Sequence, residues 1–185
     1  MIVLNIITLA LAISAVATSK VQYESVPNEN EWIFVAQNSV KDSVTKVKSY
    51  GEENEKLKVI ANGAFNSFAE FAKKSLSEII EQTNKTESEE VLRLKRQFLK
   101  WAEVLEKFNQ MSEKTSTNKI LGKFIFTIDF IVNEIVGFDK YNRFKSFEAN
   151  QITEKLKLLL RVSAAKLVKY AKSMEDQVTE MFKTD

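Results

Sequence analysis

The chain of 185 residues is 44% hydrophobic and 28% charged, which fits one globular domain large enough to bury a core and argues against disorder. It contains four glycines and one proline, so the sequence favours long helices over hairpins and all-β folds. Its formal net charge is +2, with basic and acidic residues interspersed, and this balance disfavours binding to nucleic acid.

Histidine and cysteine are both absent from the chain. Without cysteine no disulfide stabilises the fold, and stability depends on packing. Without histidine, histidine-based triads, histidine zinc sites, haem sites with a proximal histidine and Glu-x-x-His di-iron sites are excluded. Adjacent acidic pairs occur at Glu52-Glu53, Glu89-Glu90 and Glu175-Asp176, but the members of each pair point in different directions around a helix, which indicates solvated surface. The sequence therefore predicts no enzyme, no metal and no cofactor.

The first 19 residues, MIVLNIITLALAISAVATS, carry no charged side chain, and an apolar run extends from Ile2 to Ala12. The segment Ala15-Val16-Ala17 has the small-x-small pattern of a signal-peptidase site. Residues 1–19 are therefore interpreted as a cleaved secretory leader, and residues 20–185 are predicted to be the mature, extracellular domain. The alternative, an uncleaved membrane anchor, is disfavoured because a span needs roughly 20 apolar residues.

Beyond the leader, apolar residues recur at three- and four-residue steps, the spacing of amphipathic helices. The first series begins after Pro27, at Ile33, and ends near Tyr50-Gly51. The second begins at Glu52 and keeps the helical period to about residue 82. Three more series follow along the chain, so the pattern predicts an all-α, single-domain bundle of about five amphipathic helices.

The loop between the second and third predicted helices carries the chain's one Asn-x-Ser/Thr sequon, Asn84-Lys85-Thr86. The enzymes of a eukaryotic secretory route glycosylate such sequons on exposed loops. Asn84 is therefore a predicted glycosylation site, in agreement with a secreted protein.

The third helix is predicted from a capping box at Thr86–Glu89 to Met111. At 100° per residue, four of its basic residues fall within about 60° of one another, beside the apolar face: Arg93, Arg96, Lys100 and Lys107. The first three are predicted to contact an anion, such as a fatty-acid carboxylate, a lipid headgroup or an acidic partner. The alternative is a solvated face whose charge is offset by Glu103 and Glu106.

The fourth predicted helix, Ile120 to Phe138, is the most apolar stretch outside the leader. Most of its apolar residues, including Phe124 and Phe138, fill an arc of roughly 160°. Thr127 lies on the remaining, polar arc, and Phe126 and Phe130 also project there. A lipid span is disfavoured because the polar arc also holds three charged residues: Lys123, Asp129 and Glu134. Either a second element covers the two phenylalanines or they contact a ligand.

The fifth helix is predicted from Phe144 to Met181, with a kink or break allowed near Glu148 to Gln151. The whole plan, a leader followed by a cysteine-free bundle of about five helices, resembles that of exchangeable insect apolipoproteins such as apolipophorin III. The resemblance is one of architecture, without a shared motif.

Three functions fit this plan. The preferred one is a secreted carrier that binds a lipid or another small hydrophobic molecule. The alternatives are a secreted protein-interaction module of the salivary, venom, haemolymph or host-directed type, and a membrane-active protein whose fourth helix inserts into lipid. For the carrier, the predicted pocket walls lie on the apolar faces of the second, third and fourth helices: Phe65, Phe68, Trp101, Phe124, Ile128 and Ile131.

Overall fold

The computed structural model describes residues 31–51, 54–84, 88–109, 115–141 and 146–183. This part of the chain contains no strand and folds into five helices: α1 (Glu31–Lys48), α2 (Glu55–Thr83), α3 (Glu89–Asn109), α4 (Thr117–Tyr141) and α5 (Phe147–Met181). The prediction of an all-α helical bundle is confirmed. Several predicted features lie outside the described residues: the leader, Pro27, Glu52-Glu53, Thr86 of the capping box, Met111 and Phe144.

Local side-chain chemistry sets where individual helices begin and end. The side chain of Asn54 accepts a hydrogen bond from the backbone N–H of Lys56 at 2.9 Å, so it caps the start of α2. Gly51 follows α1 with a φ of +109°, a left-handed conformation that favours glycine at a helix end. At α5, the Ser146 hydroxyl accepts from the Ala149 N–H at 3.1 Å. The helix then runs unbroken to Met181, so the break allowed near residues 148–151 does not occur.

Helix α2, like α5, lies at the centre of the bundle, because each of the two contacts the other and both α3 and α4. It runs antiparallel to α5, since Lys155 near the start of α5 donates to the Gln82 side chain near the end of α2 at 2.8 Å. Helix α3 turns back along α2, and an ion pair joins Lys73 of α2 to Glu106 of α3.

Helices α3 and α4 are also antiparallel neighbours. Gln97 of α3 donates to the Glu134 carboxylate of α4 at 2.8 Å. Burial raises the pKa of Glu134, and the hydrogen bond from Gln97 opposes that shift. The start of α3 is tied to the start of α5, because Glu90 accepts a hydrogen bond from the Ser146 N–H at 2.9 Å.

Helix α1 is held by two carboxylates on other helices. Asp129 of α4 accepts from Gln37 at 2.7 Å and pairs with Lys41 at 2.8 Å. Glu175 of α5 pairs with Lys46 at 2.6 Å. Burial opposes ionisation of Asp129, but the hydrogen bonds from Lys41 and Gln37 outweigh it and lower its pKa.

The core draws apolar side chains from all five helices, with phenylalanine at its centre. Phe65, Phe68 and Phe124 are almost completely buried. The Phe65 ring lies 6.0 Å from that of Phe68 and 5.3 Å from that of Phe124, between ring centroids. Phe147 lies outside this core, because it occupies the first turn of α5 and is 75% exposed.

We expect Phe65→Ala to lower the free energy of unfolding by about 3–5 kcal/mol, because it removes a fully buried ring from close-packed neighbours. The matched control is Phe147→Ala, which deletes the same group from an exposed position and is expected to change stability by less than about 0.5 kcal/mol. Urea unfolding followed by circular dichroism measures both. Equal effects of the two substitutions would contradict this packing.

Glu175 makes the attachment of α1 sensitive to acid. The hydrogen bond from Lys46 lowers the pKa of Glu175, with burial opposing it and Ser43 donating a second hydrogen bond at 2.8 Å. Because the pKa of Glu175 is lower in the folded protein, its interactions with Lys46 and Ser43 stabilise the fold fully at a pH above the ordinary glutamate pKa of about 4.3. This stabilisation is lost as the pH falls through the lower, folded pKa.

We therefore expect Glu175→Gln to be less stable than the parent protein at neutral pH and to lose less stability on acidification. Unfolding free energies measured between about pH 7 and pH 3 test this. Glu78→Gln, at an exposed position on α2, is the control and should follow the parent protein. A Glu175→Gln curve parallel to that of the parent would show that the pair does not couple to folding.

Candidate functional site

An apolar pocket lies between α2, α3, α4 and α5, with a volume of about 50 Å³. Its mouth is marked by Phe126, whose side chain is 53% exposed, while most of its other walls are buried or half-buried. Each of the four helices contributes side chains one helical turn apart. The lining residues are Phe68, Ala72, Leu76, Trp101, Val104, Leu105, Phe126, Thr127, Phe130, Ile131, Leu159, Leu160 and Ser163.

The pocket exists where small side chains meet large ones. Ala72 of α2 and Ser163 of α5 both line it, and short side chains leave space that larger neighbours do not fill. Trp101 of α3 forms the rigid part of the wall, with its ring edge-on to Phe130 at 5.5 Å between centroids and an interplanar angle of 89°. Edge-to-face contacts of this kind fix the orientation of both rings.

One buried polar atom in the pocket wall has no hydrogen-bond partner. Thr127 is 5% exposed, and within the described residues its hydroxyl oxygen has neither a donor nor an acceptor. A buried polar group left unpaired costs about 1–3 kcal/mol. A hydroxyl, carbonyl or carboxyl group on a molecule in the pocket would provide the missing hydrogen bond.

The side of α4 that faces the core does not coincide with the apolar arc predicted from the sequence. Lys123 and Thr127 were predicted on the polar arc but are 4% and 5% exposed, whereas Val136 of the apolar arc is 38% exposed. The buried arc is turned by about 50° toward Lys123 and Thr127, the side on which α2 places Phe65 against Lys123. The ammonium nitrogen of Lys123 lies 5.2 Å from the centroid of the Phe65 ring, and burial lowers the pKa of this lysine.

The structure divides the six predicted pocket residues into two groups. Phe68, Trp101 and Ile131 line the pocket. The others are fully buried in the packed core beside it and do not line it: Phe65, Phe124 and Ile128.

The sequence prediction missed the contribution of α5 and the role of Thr127. Phe126 and Phe130 were not among the predicted pocket residues, although their position on the polar arc of α4 was a signal that could have identified them. They line the pocket, and Trp101 covers Phe130.

In two of the three acidic pairs, one member contacts another helix and is not the solvated surface that was predicted. Glu90 accepts from the backbone at the start of α5, and Glu175 pairs with α1. Among the described residues, no group of three or more acidic side chains is arranged to hold a metal ion. Nor is any helix in this part of the chain both long and apolar enough to cross a membrane.

Two further groups of predicted site residues lie at the surface, away from the pocket lining. The predicted anion-contacting residues Arg93, Arg96 and Lys100 are exposed on α3. Asn84, the predicted glycosylation site, is exposed where α2 ends.

Comparisons of the chain with protein-family models, with curated proteins and with solved structures found no match. Function is therefore inferred from the pocket and from the charges and exposed apolar groups of the described helices.

The unpaired hydroxyl predicts an unusual response to a conservative substitution. We expect Thr127→Val to raise the free energy of unfolding by about 1 kcal/mol, because it replaces an unpaired buried hydroxyl with a methyl group of similar shape. The matched control is Thr153→Val on α5, since the Thr153 hydroxyl is equally buried but donates to the Ala149 carbonyl at 2.8 Å. That control is expected to be neutral or destabilising in urea unfolding. An equal loss of stability in both variants would mean that Thr127 is hydrogen-bonded.

Proposed function

We propose that this protein is a secreted carrier that binds a small hydrophobic molecule, or the end of a lipid chain, in the pocket between α2, α3, α4 and α5. The observation that carries the proposal is the apolar pocket with the single unpaired hydroxyl of Thr127 in its wall. Apolar walls with a few polar groups are the common composition of small-molecule sites, because the walls supply affinity and the polar groups fix orientation.

The size of the pocket narrows the class of ligand. Its volume of about 50 Å³ is far below the roughly 300–1,000 Å³ of typical small-molecule sites. A ligand is therefore expected to place one narrow end in the pocket, beside Thr127, and to leave the remainder over Phe126 at the mouth. A slender aliphatic molecule that ends in a hydroxyl or carboxyl group has this shape and chemistry.

The same volume favours a second candidate function, that of a protein-interaction module. A pocket that accepts one apolar group also fits a single leucine or phenylalanine side chain of a partner protein, as happens at the centres of many interfaces. The two functions differ in what accompanies the protein when it is isolated. A carrier carries an extractable small molecule, whereas an interaction module does not.

Secretion is part of the proposal and rests on the composition of residues 1–19 and on the sequon at Asn84. The exposed position of Asn84 at the end of α2 is compatible with an attached glycan. The intact mass of the protein released by eukaryotic cells, before and after enzymatic deglycosylation, tests both parts. A chain that retains residues 1–19 or has no glycan at Asn84 would contradict the corresponding part.

Ligand binding is tested by native mass spectrometry of the protein released by eukaryotic cells, followed by solvent extraction. The protein stripped in this way is then titrated with 1-dodecanol and with dodecanoic acid. We expect Leu159→Trp to reduce binding at least tenfold, because Leu159 is half-buried in the pocket wall and a larger side chain there fills the space. Leu158→Trp is the matched control, since this neighbouring leucine is equally half-buried but does not line the pocket.

Thr127→Val tests how the ligand is oriented in the pocket. It should weaken the binding of 1-dodecanol by about three- to tenfold through the loss of one hydrogen bond. It should leave the binding of dodecane unchanged. A bare protein mass that stays bare after mixing with all three probes would refute the carrier and favour the interaction module.

A further inference from the structure

We infer that the exposed face of α3 docks on an anionic membrane surface. This face, called the α3 face below, joins basic side chains to two leucines that the bundle does not cover. It lies away from the pocket lining, and docking of this face on a membrane does not depend on the carrier proposal. Its exposed residues are Leu92, Arg93, Arg96, Leu99, Lys100 and Lys107, and the half-buried Lys95 lies at its edge.

The two leucines form an exposed apolar pair. Leu92 is 42% exposed and Leu99 is 44% exposed. They are seven residues apart, which places them within about 20° of each other and about 10 Å apart along the helix. Both therefore meet a flat surface at the same time.

Basic side chains flank this pair on both sides. By the same helical construction Lys95 lies about 50° to one side of the leucines, and the four-residue basic line is centred about 80° to the other side. Within the described residues none of these five cations forms an ion pair. They are therefore available to phosphate or carboxylate groups on a partner.

The charge of the α3 face is positive even after its carboxylates are counted. Glu89 and Glu103 are the exposed acidic residues on this side of α3, while Glu106 is paired with Lys73 of α2. Five cations against two carboxylates leave an excess of three positive charges, which exceeds the +2 of the whole chain. The α3 face therefore concentrates positive charge that the rest of the protein offsets.

A lipid surface fits this combination better than an acidic protein does. Basic side chains suit headgroup phosphates and carboxylates, and leucines between them suit the boundary with the acyl chains. A stable protein interface would need about 1,000 Å² with aromatic or arginine anchors in buried pockets. The α3 face has no exposed aromatic side chain among its described residues, and its two arginines, Arg93 and Arg96, are exposed and do not sit in a buried pocket.

The test is sedimentation of the protein released by eukaryotic cells with vesicles of phosphatidylcholine alone or mixed with phosphatidylserine, at low and high salt. We expect binding to the mixed vesicles only, and a large loss of binding in high salt because salt screens the attraction. Arg96→Gln combined with Lys100→Gln should weaken binding by about 25-fold, roughly fivefold for each charge. Leu92→Ser combined with Leu99→Ser should weaken it by about tenfold.

Matched controls separate the α3 face from general charge and hydrophobicity. Lys56→Gln with Lys169→Gln removes two exposed lysines from α2 and α5 and should lower binding by less than about twofold. Val59→Ser changes an apolar residue that is 70% exposed on α2 and should leave binding unchanged. All substituted positions are exposed, so urea unfolding curves should match that of the parent protein.

Three results would overturn the inference. They are failure to bind mixed vesicles, equal binding to phosphatidylcholine alone, and equal losses in the α3 variants and their controls. Binding to soluble polyglutamate that needs the α3 cations but not the leucines, together with failure to bind vesicles, would identify an acidic protein as the partner instead. None of these measurements involves the pocket, so a failure here is distinguishable from failure of the carrier proposal.

Discussion

The packing of α2 and α5 against each other and against α3 and α4 is the interaction on which the rest of the bundle depends. Helix α2 touches α3, α4 and α5, and its Phe65 and Phe68 lie at the centre of the core. The chain has no cysteine, so no cross-link compensates for a gap in this packing. A pocket next to α2 is therefore costly to keep, since the space beside Ala72 and Phe68 removes van der Waals attraction from one of the two central helices.

The polar side chains of α4 show how the neighbours of this helix are positioned. Asp129 binds Lys41 of α1, Glu134 accepts from Gln97 of α3, and the ammonium of Lys123 lies over the Phe65 ring of α2. Each of these interactions reaches a different helix. A purely apolar α4 would pack at several rotations with similar energy, whereas these polar interactions are satisfied at only one. Thr127 and Asn118 are exceptions, because each has a buried side-chain oxygen on this helix that no described residue pairs with.

Periodicity predicted the helices well because the alternation of apolar and polar residues is a local property of the chain. Most apolar residues at helical spacing in α2, from Leu57 to Ile79, are buried. The orientation of α4 was predicted less well, since a wide apolar arc fits several rotations and the choice among them depends on which helices lie on either side. Half of the predicted pocket residues lie in the packed core and do not line the pocket, because this too depends on the neighbouring helices. Whether a buried phenylalanine faces a neighbour or a space depends on the size of side chains on another helix, such as Ala72 or Ser163, and no local pattern encodes that.

Helix α3 connects the two proposals in one element. Its inner side supplies Trp101, Val104 and Leu105 to the pocket wall, and its outer side carries Arg96 and Lys100. The pocket is too small to enclose a lipid, so a carrier must either hold its ligand partly outside or move one wall. If both proposals hold, anionic lipid attracts the outer side of α3. The inner side of the same helix is a wall of the pocket, and its displacement would enlarge the pocket. A membrane would then be both the source of an apolar ligand and the surface at which the site opens. Coupling of this kind requires α3 to bind the membrane more tightly in its displaced position, because a ligand or surface shifts a conformational equilibrium only through such a difference in affinity.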